Sequence, residues 1–459
     1  MRRRTVLRGL GVVSGSAAVG TAGGHPLPTD DAGSTPAGTP TGGNPLGTFD
    51  LAGAHELVTS PDGHTAYVAT GDGVAFVDVV SPATPRLLAE RTDLLADSDA
   101  GPMALVQDVA VSDDRRLLAA GPANPAEGAH GVVVFDVSDR ENPERVAGHE
   151  TGTRIHNCDF DGRYAYLAGT GRPDSPLVVV DTESGEEVGT WSLPDADERW
   201  REVSPSIRQL HDVTVRDDRA YLAYWDAGTW LLDVSDPADI SLVARIRGRD
   251  RETLAAIDDQ LTERREPPGN DHFVTVDEDA TLLGVGSESW ELDDDGDGGP
   301  GGIELFDISD PAASESVATI DPPPTTDPSP GGVLTTAHNF ELTDGRLYSA
   351  WYNGGVRVHD VRDPSAPREI FRWRDSATTS FWTTQRGAGC FLAANTNANA
   401  GSEVTPGVYT FPDPAIDAPA RRTPTPTDEG VLGAAGDGFG VLSALVAAGL
   451  AVWGLRRRD

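Results

Sequence analysis

Five histidines open similar short segments along this chain. The segments read AHELVTS, IHNCDF, LHDVTV, DHFVTV and AHNFEL, and their histidines are His55, His156, His211, His272 and His338. The residues after the histidine alternate between apolar and polar, most clearly in HDVTV, as in a β-strand. Neutral imidazole is a ligand of zinc, copper, iron and nickel. The recurrence therefore raises the question of whether the five histidines meet in space.

A second pattern, a strand that ends in aspartate and is followed by a turn, organises the chain. The copies include VVVFDVSDR, TWLLDVSDP and IELFDISDP, and six aspartates end these strands: Asp78, Asp136, Asp181, Asp233, Asp307 and Asp360. Asp and Ser side chains cap such turns, and proline restricts φ. GVYTFPDP is a seventh, degenerate copy.

Each copy is preceded by two further strands, for example HDVTVRDD and RAYLAYW. Four short strands in roughly fifty residues match one propeller blade. The sequence predicts an all-β, seven-bladed β-propeller with four-stranded blades over residues 46–414. The seventh copy lacks its fourth strand, and NPLGTFDLAG near the N-terminus can supply it. An N-terminal outer strand would thus close the ring and remove its open edges.

The segment LLDVSDPADISLV resembles the LVIVD repeat, and the resemblance extends over about residues 46–414. It implies a propeller fold and says little about function, because propellers host unrelated activities. In repeat architecture the chain is also distantly similar to the selenium-binding protein, or methanethiol oxidase, family. The chain has 73 acidic and 36 basic residues, and this acidic excess resembles that of proteins from salt-loving archaea.

Alignment of the repeats places the five histidines at the start of the innermost strand, with Gln107 and Trp382 in the other two blades. Equivalent positions of the inner strands converge on the propeller axis. We therefore predict a copper, iron or zinc site at the channel mouth, with all five histidines as candidate ligands. Metal-bound imidazoles usually donate their second N–H to an oxygen, and adjacent residues of a strand point to opposite faces, so this oxygen must come from another blade. Four residues beside the histidines are candidates. These are Asn157, Asp212, Asp271 and Asn339.

The alternative is structural. A shared histidine can be inherited by duplication, pack between blades and hydrogen-bond to a neighbouring backbone. The long connections before His211, His272 and His338 favour function, because they enter on the histidine rim and could wall a pocket. The connection around RETLAAIDDQLTERR has the spacing of a short amphipathic helix. Loops on the same rim offer five candidate ligand-lining residues, which could equally pack blade edges: Trp225, Asp226, Glu288, Trp351 and Tyr352.

The acidic stretch DDDGDGGPGGIE has the spacing of a calcium loop. Its candidate oxygen donors are Asp293, Asp295, Asp297 and Glu304. A solvated acidic loop is the alternative in so acidic a chain. The chain lacks a P-loop, the G-x-S-x-G elbow, H-E-x-x-H and C-x-x-C. Its two cysteines, Cys158 and Cys390, are predicted to be buried free thiols.

The composition and the termini indicate an exported protein. The formal net charge is −37, with every basic residue an arginine, which disfavours nucleic acid as a partner. Residues 1–24 resemble a twin-arginine signal peptide, and residues 25–45 and 415–438 read as Gly/Pro/Thr-rich and Pro/Thr-rich linkers. Residues 439–455, followed by Arg456–Arg458, predict a transmembrane or surface-sorting helix. We expect a monomer at the cell surface, anchored to the membrane by this segment.

Two functions are compatible with these features. In the first, the propeller holds a histidine-ligated metal at its channel mouth and binds or oxidises a small molecule. In the second, it is a non-catalytic module that presents loops to cell-surface proteins or glycans, and its histidines are structural.

Overall fold

Seven four-stranded antiparallel sheets follow one another in chain order through the residues that the computed structural model describes, 42–292, 298–399 and 403–416. The first strand of each sheet contacts the first strand of the next, and the first strand of the seventh sheet contacts that of the first. The sheets are therefore blades around one axis, with their first strands innermost. The predicted seven-bladed propeller is confirmed.

The strands of the first four blades are listed here from the axis outwards. Blade 1 contains β2 (Leu57–Thr59), β3 (Thr65–Ala69), β4 (Gly73–Asp78) and β5 (Arg86–Thr92). Blade 2 contains β6 (Asp108–Val111), β7 (Arg116–Gly121), β8 (Gly131–Asp136) and β9 (Glu144–Glu150). Blade 3 contains β10 (Cys158–Phe160), β11 (Tyr164–Ala168), β12 (Leu177–Asp181) and β13 (Glu186–Trp191). Blade 4 contains β14 (Asp212–Arg216), β15 (Arg219–Tyr224), β16 (Gly228–Asp233) and β17 (Ser241–Arg245).

The last three blades follow the same order. Blade 5 contains β18 (Asp271–Val276), β19 (Leu282–Ser287), β20 (Ile303–Asp307) and β21 (Glu315–Ile320). Blade 6 contains β22 (Phe340–Thr343), β23 (Arg346–Ala350), β24 (Val356–Asp360) and β25 (Arg368–Trp373). Blade 7 contains β26 (Phe381–Gly387), β27 (Cys390–Asn395), β28 (Gly407–Pro412) and, as its outermost strand, β1 (Gly47–Asp50).

The repeated aspartates end the third strand of their blades, and each caps the turn that follows. Asp78 accepts a hydrogen bond from the Val80 N–H at 3.2 Å, and Asp233 accepts one from the Ser235 N–H at 3.1 Å. Equivalent bonds are made by Asp136, Asp181, Asp307 and Asp360. The capped turn satisfies a backbone donor that the hairpin leaves unpaired, which explains why the motif recurs.

The hydrophobic core consists of seven clusters, one between each pair of neighbouring blades. Between blades 7 and 1, for example, Leu57 and Val68 pack with Cys390 and Val408. Both faces of the inner strands are thereby covered, whereas the outer strands alternate between partly buried and exposed side chains. Cys158 and Cys390 are free and buried in two of these clusters, as predicted.

The N-terminal strand β1 joins the ends of the described chain. It pairs antiparallel with β28, with Gly47 opposite Thr410. The Thr410 hydroxyl accepts a hydrogen bond from the Gly47 N–H at 3.1 Å and donates one to the Pro82 carbonyl at 2.6 Å. One side chain thus connects blade 7, β1 and the turn of blade 1.

Three short helices lie in the long connections on the histidine rim: α1 (Leu193–Ala196), α2 (Arg251–Ala255) and α3 (Gln260–Glu263). The single helix expected around residues 251–265 is instead two one-turn helices. The Asp259 carboxylate caps α3 by accepting from the Leu261 and Thr262 N–H groups, which starts a new helix there. Leu254 of α2 is buried in the core between blades 3 and 4, and α3 buries no residue.

No helix within residues 42–292, 298–399 and 403–416 has the length and apolar character needed to cross a bilayer. The predicted signal peptide (1–24), the segment 439–455 and almost all of the two linkers lie outside the described residues.

Candidate metal centre at the channel mouth

Four of the five histidines share one hydrogen-bonding position in their blades, and His272 lies at an irregularity in the register of β18. In four blades the histidine N–H donates to the carbonyl of an alanine at the end of the second strand, which shows that the register is the same. The histidines concerned are His55, His156, His211 and His338. Because each inner strand lies next to the axis, this register brings the side chains to one level of the channel.

The rings of six blades form a belt along the channel mouth, which is interrupted at blade 2. Ring centroids are 4.1 Å apart for His156 and His211, 3.8 Å for His211 and His272, and 4.9 Å for His272 and His338. Trp382 follows His338 at 4.0 Å, and His55 lies 5.5 Å beyond Trp382. The indole therefore separates His55 from the other four histidines.

Backbone carbonyls orient most of these imidazoles. The Nδ1 atom of His211 donates to the His272 carbonyl at 2.8 Å, and that of His338 donates to the Trp382 carbonyl at 2.7 Å. The Nδ1 atoms of His156 and His55 bond to the Ala123 and Gly53 carbonyls. A neutral imidazole that donates from Nδ1 has its lone pair on Nε2, the form that binds metals. Three of these bonds, those of His156, His211 and His338, also join neighbouring blades, as the structural alternative expects.

The Asn and Asp side chains predicted to orient histidines of other blades do not do so, because they bond elsewhere and backbone carbonyls take the imidazole N–H groups. Asn157 donates to Asp212 at 2.9 Å, and Asn339 donates to Glu56. Asp271 pairs with Arg247 at 2.7 Å. That expectation from the sequence was wrong.

His272, His338 and Glu288 form the tightest group of potential ligands among the described residues. Their ligand atoms all lie within 4.8 Å of one another. The two Nε2 atoms are 3.2 Å apart, and the Glu288 Oε1 atom is 4.0 Å from His338 Nε2. Glu288 follows the second strand of blade 5, and Tyr352 from blade 6 donates to its Oε1 at 2.5 Å. All three members of the group are buried.

Hydrogen bonding within this group is incomplete without an added positive charge. The Nδ1 bond of His338 leaves a lone pair on its Nε2, which faces His272 Nε2. The His272 Nδ1 atom lies 3.2 Å from Glu288 Oε2, without the alignment of a hydrogen bond. A neutral His272 has one N–H but contacts two acceptor atoms, His338 Nε2 and Glu288 Oε2. It can donate to only one of them, so lone pairs face each other at the second contact. A proton or a metal ion shared by the group would remove this repulsion.

Burial keeps the imidazoles neutral. It lowers the pKa of His338 to about 3 and lowers the pKa values of His272 and His211 well below the ordinary value, with neighbouring histidines adding to the effect in both. Burial raises the pKa of Glu288 to about 7, opposed by the Tyr352 hydroxyl and by Arg265. Neutral imidazoles are the ligand form of histidine, so this environment suits a bound cation.

A cavity of about 320 Å³ lies against the ring on the rim of the long connections. Its walls include His156, His211 and His272, together with Trp225, Glu288 and Trp290. Two predicted lining residues, Trp225 and Glu288, therefore do line it. Tyr352 reaches the site through Glu288. Asp226 and Trp351 are buried and are not among the residues that line this cavity, and Trp351 packs in the core between blades 5 and 6.

Sequence reasoning missed three arginines on the same walls, Arg154, Arg264 and Arg265. The signal was present: Arg154 precedes His156 by two residues, and the other two end the connection before blade 5. In a chain with 36 basic residues they did not stand out until the fold brought them together.

The opposite end of the inner strands opens into an acidic cavity of about 730 Å³. Glu56, Asp108 and Asp212, each next to a ring residue in sequence, line it together with Asp159 and Glu341. Several of these carboxylates join inner strands: Asp212 accepts from the Val274 N–H at 2.9 Å, and Asp159 accepts from the Val215 N–H at 2.6 Å. Burial raises the pKa of Asp212 to about 7.

Three members of the predicted calcium loop, Asp293, Asp295 and Asp297, lie outside the described residues. The fourth, Glu304, is in strand β20, and its carboxylate pairs with Arg247 at 2.5 Å.

Comparison with known proteins agrees with the fold. The closed ring of seven four-stranded blades defines a β-propeller, and residues 207–247, which include blade 4, match the LVIVD repeat family. A search of curated proteins finds no match.

Two solved propellers illustrate the structural similarity. The Cps50 (Swd1) beta-propeller domain of Myceliophteria thermophila aligns over 81% of this chain and 99% of its own, with a TM-score of 0.52 and 10% identity. The RRP9 WD40 repeats align over 80% and 96%, with a TM-score of 0.53 and 11% identity. At such low identity, the similarity concerns the fold alone.

Proposed function

We propose that this propeller binds one transition-metal ion at its channel mouth, with His272, His338 and Glu288 as ligands. The observation that supports the proposal is the 3.2 Å separation of the two Nε2 atoms, beside a buried carboxylate. His156 and His211 continue the belt on the side of His272 and would complete or shield the site. The donor set of imidazole and carboxylate fits zinc, copper or iron.

A metal in this position would face the 320 Å³ cavity, where a small molecule could reach it. The site would bind that molecule. With copper or iron and an electron acceptor such as dioxygen, it would also oxidise it. The chain's own residues would orient the ligands, through the Trp382 carbonyl and the Tyr352 hydroxyl, and would line the approach with aromatic side chains.

Metal analysis of the full chain, purified without chelator, tests this proposal. We expect about one equivalent of copper, iron or zinc per chain, lost in a His272→Ala/His338→Ala variant. The matched control is His130→Ala/His149→Ala, which changes two histidines of blade 2 outside the ring. Circular dichroism establishes that each variant folds. No metal in the folded wild-type protein would refute the metal site and favour a module that only presents loops to proteins or glycans.

We also propose export and membrane attachment, supported by the twin-arginine-like start and the apolar segment 439–455. Cell fractionation of a tagged full chain tests it. The tagged protein is expected in the membrane fraction, accessible to protease added outside. Deletion of residues 439–459 should release it, and recovery of the intact chain in the cytoplasm would contradict the proposal.

A further inference from the structure

The cavity above the histidine ring has a charge opposite to that of the protein as a whole. The chain carries a formal net charge of −37, and among the charged residues that line the channel cavity at the opposite end, carboxylates outnumber arginines by eight to two. The upper cavity is lined instead by Arg154, Arg264 and Arg265, with Glu288 as the single carboxylate on its walls. A local positive surface inside a strongly negative protein selects for anions, because the rest of the molecule repels them.

Among the described residues, no carboxylate lies within ion-pair distance of these arginines, and the only carboxylate on the cavity walls, Glu288, is near enough for Arg265 to oppose the rise in its pKa. Elsewhere, arginines pair repeatedly with aspartate and glutamate, as Arg86 and Arg140 do with Asp78. Among the ion pairs of the described chain, none involves the three cavity arginines. Arg154 donates to the Thr170 carbonyl at 3.2 Å, which uses only part of its donor set. Their charges are therefore available to a ligand.

Aromatic side chains hold two of the guanidinium groups in place. Arg264 lies over the Trp225 ring at 5.5 Å, and Arg265 lies over the Trp290 ring at 5.3 Å. A cation–π contact uses no N–H donor in a hydrogen bond to an oxygen atom, so these guanidinium groups keep donors for an oxyanion. Both arginines lie in the connection directly before His272, so they stand beside the proposed metal ligands.

We propose that the cavity takes a small organic anion, with an oxyanion bound by Arg154, Arg264 and Arg265 and a flat apolar part beside Trp225 and Trp290. A volume of about 320 Å³ is sufficient for a ligand of one or two rings. The role of this anion as a substrate of the metal centre rests on the proposed function. The binding of the anion in the cavity does not.

Calorimetry on the full chain with two probes of the same shape tests the assignment. The probes are 2-naphthoate, which is anionic, and 2-naphthamide, which is neutral. We expect the wild-type protein to prefer the anion at least roughly tenfold, because charge-assisted hydrogen bonds are stronger than neutral ones. Arg264→Gln/Arg265→Gln should weaken 2-naphthoate binding by roughly tenfold or more and leave 2-naphthamide binding unchanged.

The control variant is Arg86→Gln/Arg219→Gln, which makes the same charge change on arginines that pair with turn aspartates of blades 1 and 4. It should bind 2-naphthoate as the wild-type protein does. Arg154→Gln gives an independent second variant with the same expected direction. Equal affinity for the two probes, no binding of either probe, or unchanged 2-naphthoate binding in the cavity variants would overturn the inference.

Measurements on metal-free and metal-loaded protein separate the two proposals. Anion preference in a protein that takes up no metal would reject the metal centre and leave the anion cavity. Stoichiometric metal without anion preference would reject the anion cavity alone.

Discussion

The Nε2 atoms of His272 and His338 lie 3.2 Å apart, although the two residues are on neighbouring blades and 66 positions apart in sequence. Two nitrogen ligands of one tetrahedral zinc ion, each about 2.0–2.1 Å from the metal, would be roughly 3.3 Å apart. The pair therefore already has the spacing of two ligands of one ion. The Trp382 carbonyl orients the His338 ring and both side chains are buried, so binding would require little rearrangement of the chain.

Glu288→Gln tests the third ligand with almost no change of shape. Removal of the negative charge should weaken Co²⁺ binding by roughly 10–100-fold, measured by titration of the visible Co²⁺ absorption. The amide can still accept from the Tyr352 hydroxyl, which makes misfolding an improbable cause of the loss. Glu315→Gln, an exposed change of the same type on blade 5, is the control. Wild-type affinity in Glu288→Gln would remove Glu288 from the ligand set.

His55→Ala should leave metal stoichiometry and affinity unchanged. Trp382 stands between His55 and His338, so the indole separates His55 from the proposed ion. Loss of its bond to the Gly53 carbonyl should reduce the free energy of unfolding by about 0.5–1.5 kcal/mol. Metal analysis and urea unfolding on the same preparation measure both effects. A variant that loses its metal would restore His55 as a ligand.

Glu341 should make the stability of the propeller depend on pH. Burial raises its pKa from 4.5 to about 7, and Glu278 adds to this, whereas the Arg386 N–H, Arg386 and Arg216 oppose it. Between pH 4.5 and about pH 7, Glu341 holds a proton in the folded chain that it has released in the unfolded chain. Stability from this group is therefore fully present below about pH 4.5 and is lost as the pH rises through about 7.

Glu341→Gln removes that titration and can retain the hydrogen bond from the Arg386 N–H. Relative to wild type, the variant should gain free energy of unfolding on the order of 1 kcal/mol as the pH rises from 4.5 to 7.5. Urea unfolding across this range measures the difference, with Glu315→Gln again as control. A difference that does not change with pH would show that Glu341 titrates normally.

Closure of the ring can be tested at Thr410. Thr410→Val preserves shape but removes the bonds to Gly47 and Pro82, and it leaves the partly buried Gly47 N–H and Pro82 carbonyl without this partner. We expect the free energy of unfolding to fall by about 1–3 kcal/mol. Thr190→Val, on the exposed outer strand of blade 3, should be nearly neutral. Equal stability of the two variants would contradict a role for Thr410 in closure.

Local patterns were sufficient to predict the blades. The aspartate turns, the alternation of the strands and the spacing of the repeats are short-range features, since each depends on hydrogen bonds or burial within one hairpin. The same patterns placed the histidines at the start of the inner strands. They did not reveal what orients each imidazole, and the proposed Asn and Asp partners were wrong because a backbone carbonyl does this instead.

The sequence by itself determined the class of fold, the number of blades and the common register of His156, His211, His272 and His338, because repetition multiplies a weak local signal. Only the tertiary structure decided that His272 and His338 form a pair and that Trp382 separates His55 from them. It also decided that Glu288 and Tyr352 join the site and that three arginines line one cavity. Those relationships depend on distances between different blades. Such distances are set by how the sheets pack around the axis, and no local spacing in the chain encodes them.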